Sequence, residues 1–211
     1  MEAKQLDIGK CFIDAWEVYK VNILMLLLSA LIFQVISLFT LLILSGPLFG
    51  GYCFMTMNAM RKADKKIELN DMFKMMGKFW PLIGLFFLQG IAVFGGLLLL
   101  IIPGVLLMTM WLYSYFVMAD KNTGVMDSLK ASWNLVKDKG LWINLSLAII
   151  YLLLSGLSGQ IPFVGWLINL IMIPFGILLI TSAYLQQAVG QTASSDENRP
   201  FANAPEEEGQ A

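Results

Sequence analysis

An all-α integral membrane protein is the fold class this sequence predicts: six transmembrane helices as three hairpins, each preceded by a short amphipathic interfacial helix. Three observations predict it. First, no Asp, Glu, Lys or Arg occurs in residues 21–60, 79–119 or 140–195, gaps of 40, 41 and 56 residues. One crossing takes about 20 apolar residues at about 1.5 Å each, so every gap has room for two. Second, each gap is interrupted by turn-forming residues: Ser45-Gly46-Pro47, Ile101-Ile102-Pro103-Gly104, and the stretch 155–165 around Pro162. Third, a stretch with helical apolar periodicity runs into each gap. A soluble core helix does not need charge-free runs of this length.

Composition sets the outer bounds. Charged residues make up 14% of the 211 residues, against about a quarter in a soluble domain, so much of this surface faces something other than water. Net charge is −1, which gives no overall attraction to nucleic acid, and no nucleic-acid partner is expected. The chain has no His, the commonest acid–base residue and metal ligand. Cys11 and Cys53 fall in different predicted environments, so no disulfide and no metal site is expected.

The elements follow in order. In residues 1–20, Ile8, Phe12, Ala15, Trp16 and Tyr19 make one helical stripe, with Asp7, Lys10, Asp14, Glu17 and Lys20 mostly off it. That pattern suits a helix lying in the interface with its aromatic side toward lipid. Four acidic residues in this stretch argue against a cleavable signal, so the first span is read as a signal anchor. The spans are placed at residues 21–44 and 48–60, 81–102 and 105–119, and 141–159 and 164–185. The second has only 13 uncharged residues and must tilt little, start before Pro47, or extend past Arg61 with that side chain snorkelling. Gly46, Gly50 and Gly51 would let its backbone approach a neighbour closely.

After Arg61-Lys62-Ala63-Asp64-Lys65-Lys66 comes a second amphipathic stretch, with Leu69, Met72, Phe73, Met76 and Trp80 on its apolar stripe and Asn70 as N-cap. The third, in residues 123–142, carries Val125, Leu129, Trp133 and Val136 at i, i+4, i+8 and i+11. Pro174 should kink the last span. Residues 1–189 then form a single membrane domain, and residues 190–211, with Glu206-Glu207-Glu208, a disordered acidic tail.

Charge placement orients the plan. The 14 basic residues all fall before span one, between spans two and three, between spans four and five, or in the tail. With an even number of spans these segments share one side, and positive residues are retained in the cytoplasm. A multi-pass protein of the inner, or cytoplasmic, membrane with both termini cytoplasmic is expected.

The units also repeat. Ile8 aligns with Val125, Phe12 with Leu129, Trp16 with Trp133, Val18 with Leu135 and Lys20 with Lys137; the middle unit matches only in pattern. The sequence Ile102-Pro103-Gly104-Val105 followed by the helix Asp127-Ser128-Leu129-Lys130-Ala131-Ser132-Trp133-Asn134-Leu135-Val136-Lys137 resembles a broad bacterial and archaeal membrane family. It includes the membrane domain attached to some glycerophosphodiester phosphodiesterases and many related inner-membrane proteins. The likeness covers about residues 101–142, with Asp127-Ser128 where the family usually has Ala. It implies a polytopic membrane domain and supplies no reaction, cofactor or catalytic residue.

No phosphate loop, zinc site, nucleophile elbow or dinucleotide motif occurs at a usable position, so an enzyme is not expected and catalytic, cofactor and metal residues are none. What remains is recognition of the bilayer and of partners in it. Trp16, Trp80, Trp133 and Trp142 are expected as interface anchors. Arg61, Lys62, Lys65 and Lys66 are the candidate contacts to anionic lipid. Gln34, Gln89 and Asn144 are the candidates to line a polar cavity, the alternative being hydrogen bonds between helices. The expected role is a non-enzymatic membrane scaffold or interaction protein in envelope or lipid organisation, with a membrane protein as candidate partner. The alternative is a transporter or lipid translocator for a small or amphiphilic substrate.

Overall fold

The computed structural model describes residues 6–40, 43–62, 64–158 and 164–196. Among the described residues the regular structure is all helical, with no strand. In chain order the helices are α1 (Ile8–Phe39), α2 (Ser45–Arg61), α3 (Leu69–Phe73), α4 (Phe79–Leu99), α5 (Ile101–Met110), α6 (Ser114–Lys121), α7 (Val125–Lys139), α8 (Leu141–Ser158) and α9 (Val164–Asp196). A 3-10 turn, Lys74–Lys78, joins α3 to α4.

Four stretches are long and apolar enough to cross a membrane: Ile8–Ser37, Leu69–Leu99, Ile101–Lys121 and Ile168–Ala188. Among the described residues a fifth is counted only if the bent pair Val125–Lys139 and Leu141–Ser155 is taken as one broken span. α2 is 17 residues, or about 26 Å, a little short of a hydrocarbon core of about 30 Å. It begins at Ser45, before Pro47, one of the three alternatives its short uncharged run left open, and it is mostly buried at the centre of the bundle.

Glycines put α2 there. A Cβ on Gly51 would lie 1.8 Å from the Met72 carbonyl oxygen, and one on Gly46 would lie 2.5 Å from that of Leu82. The α3 backbone and the start of α4 therefore lie directly on α2. On the far side of α4, by contrast, Ile91, Phe94, Leu98 and Leu99 are all exposed, and the α4–α5 hairpin presents its apolar surface outward. That is a solvent-incompatible surface of the kind a bilayer covers.

Several expectations change. Two of the expected turns are not where their prolines stand. Pro47 and Pro103 are each the third residue of a helix, where the missing N–H has no intrahelical partner to lose. The break between α4 and α5 is at Leu100, whose extended backbone (φ −161°, ψ 141°) ends the helix, and not at residues 101–104. α3 is capped at Glu68, not Asn70. Asp71, expected on the polar side, is 1% exposed, because the Gly51 contact pulls this segment inward and Asn58 and Lys74 satisfy its carboxylate, each at 2.5 Å.

On α7 the buried face is Ser128, Leu129, Ser132, Leu135 and Val136, and Trp133 points away. Two serines displace Trp133 because their hydroxyls serve backbone groups inside. α9 continues as helix past Gly190 to Asp196, beyond the expected start of the tail; residues 197–211, with the rest of that tail, lie outside the described residues, as does the Pro162 connection.

Nor are the three collars alike. Only the third unit is sharply bent, by 114° at Gly140, whose φ of +107° suits a residue without Cβ. In the first unit one helix runs from Ile8 to Phe39, interrupted only at Asn22 (φ −120°, ψ 20°). Its first half packs on α9: Ser182 donates to Asp14 at 3.0 Å, the Asp7 amide donates to Gln186 at 3.2 Å, and Phe12, Trp16 and Tyr19 surround Phe175. The second unit is reduced to α3 and the 3-10 turn.

Candidate functional site

The fourth expected span is broken. Between α5 and α6 the residues Trp111-Leu112-Tyr113 form a turn inside the bundle. A broken helix leaves amides and carbonyls without helical partners, and inside a membrane these need protein groups to satisfy them. Polar side chains from α7 and α4 supply them, and α8 binds the Tyr113 hydroxyl. Ser132 of α7 donates to the Met110 carbonyl (2.8 Å) and accepts the Tyr113 amide (3.1 Å). Gln89 of α4 donates to the Trp111 carbonyl (3.3 Å) and accepts Ser114 Oγ (3.1 Å). Tyr113 Oη donates to Asn144 Oδ1 of α8 (2.6 Å).

Gln187 of α9 completes the cluster. Its Nε2 donates to Asn144 Oδ1 (2.8 Å) and to Tyr113 Oη (3.1 Å), while its own Oε1 is buried with no hydrogen-bond partner among the described residues. Tyr113, Ser132, Asn144 and Gln187 are each 0% exposed, so the cluster is closed to solvent. A cavity of about 90 Å³ adjoins the break, walled in part by Gln89, Leu112, Tyr115, Phe116 and Tyr151. Two of the three expected cavity residues, Gln89 and Asn144, thus meet at one break, but only Gln89 reaches the cavity. Gln34 is elsewhere on α1, its Oε1 buried and without a partner among the described residues. Ser132 lies in the stretch that carries the family likeness, with no role at a helix break expected of it, and Gln187 carries no expectation; both sit in helical runs whose period gives no sign of a partner on another helix.

A second polar assembly lies where the charged residues gather. Arg61 at the end of α2 makes a two-pronged ion pair with Asp120 of α6 (2.7 and 2.9 Å), and Tyr184 of α9 donates to the same carboxylate (2.9 Å). Lys62 pairs with Glu68 at 2.5 Å, Lys65 with Glu17, and Lys78 donates to the Met118 carbonyl at 2.8 Å. Arg61 is held above its ordinary pKa first by the hydrogen bond to Asp120, and Lys62 above its own first by the one to Glu68. Of the four expected lipid contacts, then, Arg61, Lys62 and Lys65 already have carboxylate partners. Lys66 makes no ion pair among the described residues; its amide donates to Asp64.

Asn22 ties these parts together. Its Nδ2 donates to the carbonyls of Val18 (2.9 Å) and Lys65 (2.6 Å), and its Oδ1 accepts the Ile67 amide (2.9 Å). One side chain thereby fills the break in α1 and clamps the loop after α2, in which Lys65 has φ +51°. The four expected anchors are all exposed: Trp16 at 52%, Trp80 at 78%, Trp133 at 41% and Trp142 at 80%. Trp16 differs from the rest, since it also packs on Phe175 and carries the Lys20 ammonium 5.8 Å above its ring. No group of three or more His, Cys, Asp or Glu side chains placed to hold a metal ion occurs among the described residues.

Comparison with known proteins adds no relative: no protein-family model, curated protein or solved structure matches this chain.

Proposed function

We propose that this chain is a six-span, three-hairpin membrane protein of the inner membrane, with both termini cytoplasmic, acting as a non-enzymatic scaffold or interaction protein in lipid or envelope organisation. The observation that carries the scaffold reading is how the interior polar groups are used. Gln89, Ser114, Ser132 and Asn144 are engaged by one another and by the helix break, which is the behaviour of structural groups and not of a substrate path. The adjoining cavity of about 90 Å³ is well below the roughly 300–1,000 Å³ typical of small-molecule sites. The collected charge layer supports the orientation, because Arg61, Asp120, Glu17 and Lys65 meet at one end of the bundle. The likeness of residues 101–142 to the phosphodiesterase-associated membrane family is part of the same proposal.

The scaffold reading is tested by capture of cross-linked membrane partners and by the envelope phenotype of a deletion strain. A specific partner or an envelope defect is expected; finding neither would overturn it.

The broken helix favours a second reading. Discontinuous spans with their ends near mid-bundle are a recurring feature of transporters. Proteoliposomes settle this directly: solute uptake or lipid scrambling above empty vesicles would replace the scaffold with a translocator, and its absence over a broad panel would remove the second reading.

A further inference from the structure

The run of cations from Arg61 to Lys66 is the obvious place for an anionic lipid, yet most of its charge is already matched within the protein. α7 is arranged differently. Met126, Lys130, Trp133 and Lys137 stand at i, i+4, i+7 and i+11, which sets them on one narrow face, and all four are exposed. Neither Lys130 nor Lys137 takes part in an ion pair among the described residues, and the same holds for Lys139 at the helix end. The opposite face is buried in the bundle through Leu129, Ser132, Leu135 and Val136. Asp127 and Asp138 flank the stripe on one side and do not lie within it.

The direction of α7 matters as much as its charge. It is bent by 114° from α8, which is long and apolar. With α8 crossing a bilayer, α7 lies within about 25° of the membrane plane, and Trp142, 80% exposed, sits at the corner where the two meet. A helix in the interface with cations and large apolar residues on one face binds through both burial and attraction to negative headgroups.

From these observations we infer that the exposed face of α7, Met126–Lys130–Trp133–Lys137 with Lys139 and Trp142 at its end, is a binding surface for anionic phospholipid headgroups, with Lys130 and Lys137 selecting the charge. The inference rests on the proposed membrane placement, and its test separates the two.

A fluorophore is attached to full-length protein at Asn134→Cys, beside the stripe, or in a second sample at Leu98→Cys on the exposed face of α4; Cys11 and Cys53 are buried. Each protein is placed in phosphatidylcholine nanodiscs with about one-third phosphatidylglycerol, and brominated acyl chains are carried by one lipid or by the other. Quenching at Leu98→Cys reports insertion alone; if it is absent, the membrane placement fails.

Where that control is quenched, the label on α7 should be quenched about two- to threefold more per brominated phosphatidylglycerol than per brominated phosphatidylcholine. The preference should vanish in Lys130→Gln/Lys137→Gln, persist in Lys130→Arg/Lys137→Arg, and persist in Lys62→Gln/Lys66→Gln. Equal quenching by the two lipids in the parent overturns the inference. So does a preference that survives Lys130→Gln/Lys137→Gln, or the absence of quenching on α7 by either lipid, which would assign this face to a protein.

Discussion

Single residues do opposite things here according to what stands within 4 Å of them. Gly51 has no room for a Cβ, since the Met72 carbonyl oxygen would be 1.8 Å away, whereas Gly90 has nothing within 4 Å. Gly51→Ala should therefore destabilise the fold by about 1–3 kcal/mol through forced backbone displacement. Gly90→Ala should be neutral or stabilise by up to about 1 kcal/mol through helix propensity. Thermal unfolding in detergent should show the two melting temperatures moving in opposite directions or only the first one falling.

Serines divide in the same way. Ser132 serves two backbone groups at the helix break, and Ser132→Ala should cost about 1–3 kcal/mol for each buried group left unsatisfied. Ser146 bonds only carbonyls of its own helix, and Ser146→Ala should leave the same unfolding measurement nearly unchanged. The sequence marks all of these residues only as small or polar. Which one is indispensable depends on what another helix places against it.

Elements show more regularity than the single residues. In the register that pairs Trp16 with Trp133, most of the buried residues also correspond: Cys11 with Ser128, Ala15 with Ser132, Val18 with Leu135, and Tyr19 with Val136, the exception being buried Leu129, whose counterpart Phe12 is exposed. The first and third units therefore present the same helical face inward, and both tryptophans stay outside. The helices then part company at their junctions. Gly140 permits a sharp bend, while Asn22 leaves helical geometry for one residue, kinks α1 without ending it and uses its amide to hold the neighbouring loop.

Asn22→Ala should release that loop without unfolding the bundle. Trypsin cleavage at Lys62, Lys65 and Lys66 in proteoliposomes should accelerate several-fold while the melting temperature falls by little. Unchanged cleavage would show that the ion pairs of Lys62 and Lys65 suffice to hold it.

At the scale of the whole molecule the charges and the apolar surface segregate. Ion pairs join α2 to α6 and the loop at Lys65 to α1, the Tyr184 hydroxyl ties α9 to Asp120, and the α4–α5 hairpin stands out with an uncharged surface. This arrangement is the reason for expecting one-sided loops. Lys66→Cys and Thr123→Cys should both react with an impermeant maleimide from the same side of sealed inverted vesicles, and neither from the opposite side. Labelling from opposite sides would mean an odd number of crossings between them, and would remove the three-hairpin plan.

The sequence by itself determined the helical class and the apolar stretches, because hydropathy acts locally; the breaks at Leu100, at residues 111–113 and at Asn22 were set by the folded chain. It located Gln89 and Asn144 as polar residues in apolar company, and it flagged the glycines of α2. The tertiary structure alone decided what those residues touch. Gln187 and Ser132 matter because α7 and α9 bring them to a break in α5–α6. Trp133 turns outward because Ser132 is needed inside, and Arg61 and Lys65 are matched because carboxylates from other segments, Asp120 and Glu17, reach them. Periodicity records which face of a helix is apolar; the partner of a buried hydroxyl, amide or charge is set by contacts between residues far apart in the chain.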